Sequence, residues 1–333
     1  MDLFPIFVKS GRRRDQFKVG FIDIAGEVLI QPIFDDAIGF HEGLASVKVG
    51  AKWGLIDETG RIIIEPFSTL SVKFSEGKGI FEGKGVLGES KGKLVFGIID
   101  RSGEVTLSPR YALLGDYSEG MAWMANTGIY TEKPGSYGFL DIDGAVKIPF
   151  FFDDARKFQE GVAAVKLGGK WGFIEPGGSF VLPAMYDFAV CFSEGFARTK
   201  IGDLWGYIDH AGEYVISPRY SSALEFNEGL AIVEENGLRG FINQRGEYEI
   251  PPSFKYADRF SEGLAMVKTK DRAVFIDRSG TIRIKEQFRM ASNFRNGLAL
   301  VENTKEIGYI NRQGDFVWKG SYVEVTAPYL DSF

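Results

Sequence analysis

Seven acidic residues return at one point of a recurring pattern: Asp23, Asp57, Asp100, Asp141, Glu175, Asp209 and Asp277. Carboxylates are the reacting groups of glycosidases, which need two of them in unlike surroundings, and the ligands of calcium sites, which need several oxygens close together. These carboxylates are copies of one another. Asp57-Glu58-Thr59-Gly60, Asp100-Arg101-Ser102-Gly103, Asp209-His210-Ala211-Gly212 and Asp277-Arg278-Ser279-Gly280 each place an acid first and glycine fourth. An Asp there accepts the backbone N–H two residues on, and glycine takes the left-handed position of a bulged hairpin loop. Asn243 and Asn311 can make the same contact, so hydrogen-bond geometry matters more than charge. The column therefore reads as turn capping.

Other reactive side chains are few. His41 and His210 read as polar turn residues, with no second His or Cys at metal-ligand spacing. Cys191 stands next to Phe192 and has no identifiable activating base, so a thiolate nucleophile is not supported. A single cysteine also excludes an intrachain disulfide. The expectation is a protein without catalytic residues, metal or cofactor.

The elements that carry these residues are repeats. Lys52-Trp53-Gly54-Leu55-Ile56-Asp57 returns as Lys170-Trp171-Gly172-Phe173-Ile174-Glu175 and Leu204-Trp205-Gly206-Tyr207-Ile208-Asp209. A second landmark, Glu-Gly, runs from Glu42-Gly43 to Glu262-Gly263 and ends as Asn296-Gly297. Most spacings are 34 residues, but Gly77 to Gly120 is 43 and Gly120 to Gly161 is 41. The result is a single repeat domain over 1–333: nine units of about 34 residues, enlarged between 77 and 161, with a closing segment at 315–333.

Each unit reads as antiparallel β-meander. Leu44–Val49, Lys52–Asp57 and Arg61–Ile64 are short β-rich runs separated by Gly and Asp, and no sustained 3.6-residue period appears. Between units, Tyr186, Ala189 and Phe192 are spaced three apart, as are Tyr220, Ala223 and Phe226. This predicts a corner with a helical or 3₁₀ turn whose apolar residues plug the gap between sheets. Prolines such as Pro149, Pro183 and Pro218 precede it and are expected to end the third strand. The structural residues are accordingly Trp53, Asp57, Gly60, Trp171, Phe192, Trp205, Asp209, Gly212 and Phe226.

The long-range arrangement has two solutions. The units could stack as an open β-hairpin solenoid, or superhelix, or close as a β-propeller. Nine units exceed the usual propeller blade number, and the corner spacing is not that of a strand, so the open solenoid is expected. In the closed alternative the corner is a fourth strand, with Ser321-Tyr322-Val323-Glu324-Val325 completing the first blade.

Gly-Lys-Trp-Gly-Phe-Ile at 169–174, the Asp-x-x-Gly turns and Phe-Ser-Glu-Gly-(Leu or Phe)-Ala at 192–197 and 260–265 resemble the bacterial WG-containing repeat, also called the KWG repeat. The resemblance spans essentially the whole chain. It implies a repeat or interaction module and no catalytic residues. The Trp-Gly pair itself persists only at Trp53, Trp171 and Trp205; Phe96, Tyr137, Arg239, Ala273 and Ile307 replace the tryptophan elsewhere.

Binding is sought where the copies stop agreeing. The enlarged hairpins cover 86–93 and 124–135, and loops can diverge towards a ligand while strands keep the frame. Trp123, Tyr130, Lys133, Tyr137 and the altered column residue Arg239 are the candidate contacts. They suit a protein or peptide partner, and the expected function is a non-catalytic scaffold for protein–protein interaction. Carbohydrate or cell-envelope binding through exposed aromatics is the alternative, and a glycoside hydrolase the enzyme alternative.

A net charge of −6 does not favour nucleic acid, and Arg12-Arg13-Arg14 reads as a solvated loop. Hydrophobic residues make up 44%, including 29 Phe, enough to pack thin layers, yet no 18-residue apolar run offers a membrane span. The N-terminal sequence lacks a signal-peptide pattern, so cytoplasm is the default expectation, with secretion open if such a signal had been removed.

Overall fold

The computed structural model describes residues 2–11, 16–84, 93–126, 135–270 and 272–321. Among them the regular structure is strand alone, arranged in nine antiparallel sheets. Residues 154–186 illustrate a complete blade. Asp154–Gln159 pairs with Val162–Leu167, which pairs with Lys170–Ile174, which pairs with Phe180–Tyr186. Seven sheets have this four-stranded order, and two have three strands. The last strand of the blade is an edge, and only Leu182 and Tyr186 of it are buried.

The corner is a strand, not a helical turn. Ala155 faces Val165 but Phe158 faces Ala163, so three steps on one strand oppose two on the other. This bulge produces the three-residue spacing that imitates a helical turn. Nor does the third long strand end at its proline. Trp171 faces Tyr186 and Phe173 faces Leu182, and the excess residues around Pro183 form a second bulge on the edge. That bulge explains the glycine of Trp-Gly: a Cβ on Gly172 would lie 2.7 Å from the Leu182 carbonyl oxygen and the Pro183 carbonyl carbon. Where Val274 replaces the glycine, the facing strand Ile282–Phe288 keeps the bulge but has no proline.

The two turns differ in mechanism. In the Asp-x-x-Gly loop the Asp57 carboxylate accepts from Thr59 N at 3.0 Å and Arg61 N at 3.1 Å, while Gly60 N donates to Asp57 O at 2.9 Å. Asp209 accepts from Ala211 N and Glu213 N in the same way, and Gly212 N closes the loop. At Asp277 the Ser279 hydroxyl, Arg283 and two backbone N–H groups hold the carboxyl down to about 2. Asn243 repeats the contact without charge, through Arg245 N and Glu247 N.

The Glu-Gly reversal is a two-residue loop. Ser193 faces Phe196, and both Glu194 (φ 54°) and Gly195 (φ 84°) are left-handed, as a type I′ turn requires. Glutamate is an unusual residue for that conformation. Its carboxylate supplies a compensating contact by reaching the next reversal. Glu76 accepts from Glu119 N and Gly120 N at 2.7 and 2.8 Å, and Glu160 accepts from Gly195 N at 3.0 Å. Glu228 and Glu262 do the same for Gly263 and Gly297.

Packing between blades centres on the plug residues. Phe139–Phe158, Phe173–Phe192, Phe241–Phe260 and Phe275–Phe294 join an inner-strand ring to the plug of the following blade, with centroids 4.9–5.1 Å apart and planes 59–65° apart. Phe192 and Phe226 are each 1% exposed.

The open solenoid is not what forms. The chain divides into two compact units, 68–225 and a second that joins 1–67 to 226–333. Within the latter, the first and last sheets share one core, including Phe4, Ile6, Phe7, Leu300, Ile307 and Tyr309. Tyr309 packs against Phe4 with ring centroids 5.5 Å apart and planes tilted by 60°, and its hydroxyl donates to Pro5 O at 2.9 Å. Asn296 Nδ2 donates to Asp2 Oδ1 at 2.8 Å. An open stack would hold these sheets at opposite ends, so the fold is the closed alternative, a β-propeller of nine blades among the described residues. The segment expected to complete the first blade lies, beyond Ser321, outside the described residues.

Two outcomes are expected. Phe192→Ala removes a buried junction ring and lowers the unfolding free energy by about 3–5 kcal/mol in urea melts. Asn296→Asp sets a second carboxylate against Asp2 and lowers stability by roughly 0.5 kcal/mol. Adding Asp2→Asn restores that loss, whereas additive single and double variants would contradict the closing contact.

Candidate functional site

In the compact unit 68–225, an open cleft of about 480 Å³ is lined by Gly115, Asp116, Trp123, Arg156, Lys157 and Cys191 among others. Its centre is built by an exchange of size across paired strands. Trp123 lies on Met121–Ala125 directly across from Gly115, whose N–H donates to Trp123 O at 2.9 Å. A Cβ on Gly115 would lie 2.0 Å from the indole Nε1. Glycine is therefore what lets the ring occupy this place. In the next blade Ala164 lies opposite the bulge that carries Arg156 and Lys157, so the large side chain changes strand.

Arg156 is held on several sides. Its Nη1 donates to Asp154 Oδ1 at 2.8 Å and to Ala155 O at 3.2 Å, and its guanidinium lies 4.7 Å from the Trp171 ring and 5.8 Å from Phe188. The contacts continue from Trp171 to Phe188 at 5.1 Å, to Trp205 edge-on at 5.6 Å, and end under Arg198 at 5.0 Å. Trp171 is 2% exposed, Trp53 is 9% exposed, and Trp205 is half-buried. Trp171 joins its blade to the next through Phe188, and Trp53 and Trp171 are too buried to form a stacking groove.

Asp116, Lys157 and Cys191 occupy the same place in three successive blades. Asp116 forms an ion pair with Lys73 at 3.8 Å. Lys157 is exposed and forms no ion pair among the described residues. Cys191 is 8% exposed and its thiol donates to Lys157 O at 3.3 Å. Burial pushes the thiol pKa up, against the opposing pull of Lys157. It is a packed thiol, not an activated nucleophile.

Of the expected contacts, Trp123 and Tyr137 come together, with ring centroids 5.8 Å apart. Burial raises the Tyr137 phenol pKa, with the Asp154 carboxylate adding to it. Tyr130 and Lys133 lie outside the described residues, as do Arg12-Arg13-Arg14 and most of 86–93. Arg239 belongs to the other compact unit and is engaged there. It donates to Ala257 O at 3.1 Å, stacks on Tyr256 at 5.1 Å and meets Glu234 at 3.8 Å. His210 stacks on Phe192 at 3.9 Å and meets Glu160 at 3.1 Å. Among the described residues no group of three or more His, Cys, Asp or Glu is placed to hold a metal.

Gly115, Asp116, Arg156 and Lys157 were not singled out by sequence reasoning. The signal was present in the repeats. Where Gly115 stands, other units carry Ile38, Val72, Val190 or Leu224, and where Trp123 stands they carry Ser46, Ile80, Ala164 or Leu300.

Sheets of this order, closed between first and last, define an all-β propeller protein whose candidate site is a cleft between repeats. The chain belongs to the WG-containing repeat family, whose model matches residues 20–53, 53–66, 96–128, 137–171, 171–205, 205–238, 240–272 and 275–305. Among solved structures it is similar to one titled as the eukaryotic initiation factor, at 11% identity and TM-score 0.66, covering 97% of this chain and 96% of that one. That likeness shows the fold alone. Weaker likenesses are to BamB from Moraxella catarrhalis (12% identity, TM-score 0.43, 86% and 88% covered) and to apo AztD from Citrobacter koseri (11%, 0.43, 97% and 96%). No curated relative matches the chain.

The cytoplasmic expectation is withdrawn. Nothing in the fold or in these likenesses supplies a compartment for this chain. No helix of the described residues is long and apolar enough to cross a membrane, which says nothing of a β-barrel.

The raised thiol pKa fixes the sign of a pH test. A group whose pKa lies above the ordinary cysteine value holds less thiolate at pH 8 than a free thiol does. Iodoacetamide should therefore modify Cys191 more slowly than a cysteine in the urea-unfolded chain, and the gap should narrow as pH rises. Equal rates in both states at pH 8 would contradict the burial.

Proposed function

We propose that residues 1–333 act as one repeat domain, a non-catalytic scaffold that binds a protein or peptide at the Trp123 cleft. The observation that carries this reading is the paired departure of Gly115 and Trp123 from the repeat pattern, which opens a cleft without disturbing the blade pairing. Tryptophan and arginine are the residues most enriched in the centres of protein interfaces, and both line this one. The repeated aspartates are each engaged in their own turn, which speaks against a glycosidase pair.

Carbohydrate or cell-envelope binding is the second reading. It draws support from the half-buried rings of Trp123 and Trp205, and is weakened by the burial of Trp53 and Trp171.

A photo-crosslinking amino acid placed at Trp123, and in a second protein at the exposed edge residue Met185, distinguishes the readings in cells. The scaffold reading expects adducts at position 123, absent at 185, that a protease destroys. Equal labelling at both positions, or adducts that resist protease and disappear with glycosidase, would overturn it.

A further inference from the structure

The charges around the cleft do not cancel. Asp154 neutralises Arg156 and Lys73 neutralises Asp116, but Lys157 has no acidic partner among the described residues. The reason lies in the column that supplies these side chains. Lys73, Asp116, Lys157, Cys191 and Glu225 follow one another in successive blades. Acid and base alternate until Cys191, where a neutral thiol stands beside Lys157 and leaves its ammonium uncompensated. A chain of net charge −6 thus carries a local positive centre here.

The guanidinium adds direction. Nη1 of Arg156 is occupied by Asp154 and Ala155, and the ring faces of Trp171 and Phe188 hold its plane. Nε and Nη2 meet no acceptor among the described residues. A planar donor fixed in this way loses little freedom on meeting a carboxylate. The indole of Trp123 supplies an apolar wall against the same opening. One uncompensated cation is too few for a phosphate backbone, whose binding sums many such contacts. A volume of about 480 Å³ accommodates one or two side chains.

We propose that this cleft takes an acidic peptide segment, seating a carboxylate on Lys157 and Arg156 and an apolar side chain on the indole of Trp123. The inference rests on the scaffold reading and names the chemistry of its partner. Attraction to a partly exposed ammonium is screened by salt, so binding weakens as ionic strength rises.

The test is fluorescence anisotropy with the full chain and three labelled peptides, one of glutamate and leucine, one of glutamine and leucine, one of lysine and leucine. The glutamate peptide should bind, and the other two should bind at least about fivefold more weakly. Lys157→Gln, an exposed change that leaves the packing intact, should weaken the glutamate peptide by about fivefold. Lys147→Gln, on the exposed edge strand of the same blade as Trp123, should leave it unchanged. Equal binding of glutamate and glutamine peptides, or an unaltered affinity in Lys157→Gln, would overturn the inference. A polyuronate that binds directly and more tightly than the glutamate peptide would overturn it in favour of an anionic glycan. Protein adducts at position 123 alongside charge-independent peptide binding would sink this inference and leave the scaffold reading standing. Loss of those adducts would remove the scaffold reading itself.

Discussion

The contact on which the structure depends is the tilted ring pair between one blade and the next. It recurs at Phe21–Phe40, Phe139–Phe158, Phe173–Phe192, Phe241–Phe260 and Phe275–Phe294 with centroids 4.9–5.1 Å apart. Tilted aromatic pairs contribute about 0.5–1.5 kcal/mol beyond their buried area, so the geometry is selected as well as the burial. A repeated geometry also propagates: each blade leaves the same apolar face for its successor. An open array would end with two such faces exposed and would need polar capping repeats. Here the terminal repeats are apolar. Phe4 and Phe7 on one side, and Leu300 and Tyr309 on the other, are buried in a common core.

Closure alters the repeat only where it must. The first blade has no corner plug of its own, so Tyr309 meets Phe4 and sends its hydroxyl to Pro5 O. The glutamate of the Glu-Gly reversal elsewhere accepts backbone N–H groups from the next reversal. At the closing junction the corresponding place is held by Asp2, whose side chain is itself an acceptor. A glutamate at 296 would set two acceptors against each other. Asn296 supplies an N–H instead, which is why the last landmark departs from the pattern.

Local structure was legible because each turn has one dominant cause. The Asp-x-x-Gly loops follow from carboxylate acceptance and left-handed glycine, the geometry found at Asp57, Gly60, Asp209 and Gly212. The corner was misread because a bulge makes three residues oppose two, so Ala155 and Phe158 imitate a helical step while belonging to a strand. The proline was misread for a related reason: on an edge strand Pro183 occupies a bulge without ending the pairing. Closure was not legible at all from local pattern, since a solenoid and a propeller share the same meander. The cleft was legible only in part. Trp123 and Tyr137 stood out as aromatics beside an enlarged hairpin, but Arg156 and Lys157 come from the following blade and look like ordinary corner residues.

The tryptophan column shows how variation can be structural. Trp171 packs on Phe188, the corner aromatic of the next blade, and Arg239 takes the equivalent place against Tyr256. A guanidinium is planar and stacks on an aromatic face as an indole does, and it adds a hydrogen bond to Ala257 O. The exchange of Trp for Arg therefore preserves the junction, and a divergent residue in this column is weak evidence of a partner. Gly115 and Trp123 differ in kind. Their exchange moves bulk from one strand to the one opposite, preserves the ladder between them, and changes the shape of the surface. Variation that keeps a contact maintains the frame, whereas variation that keeps the ladder but opens a cavity creates room for something else.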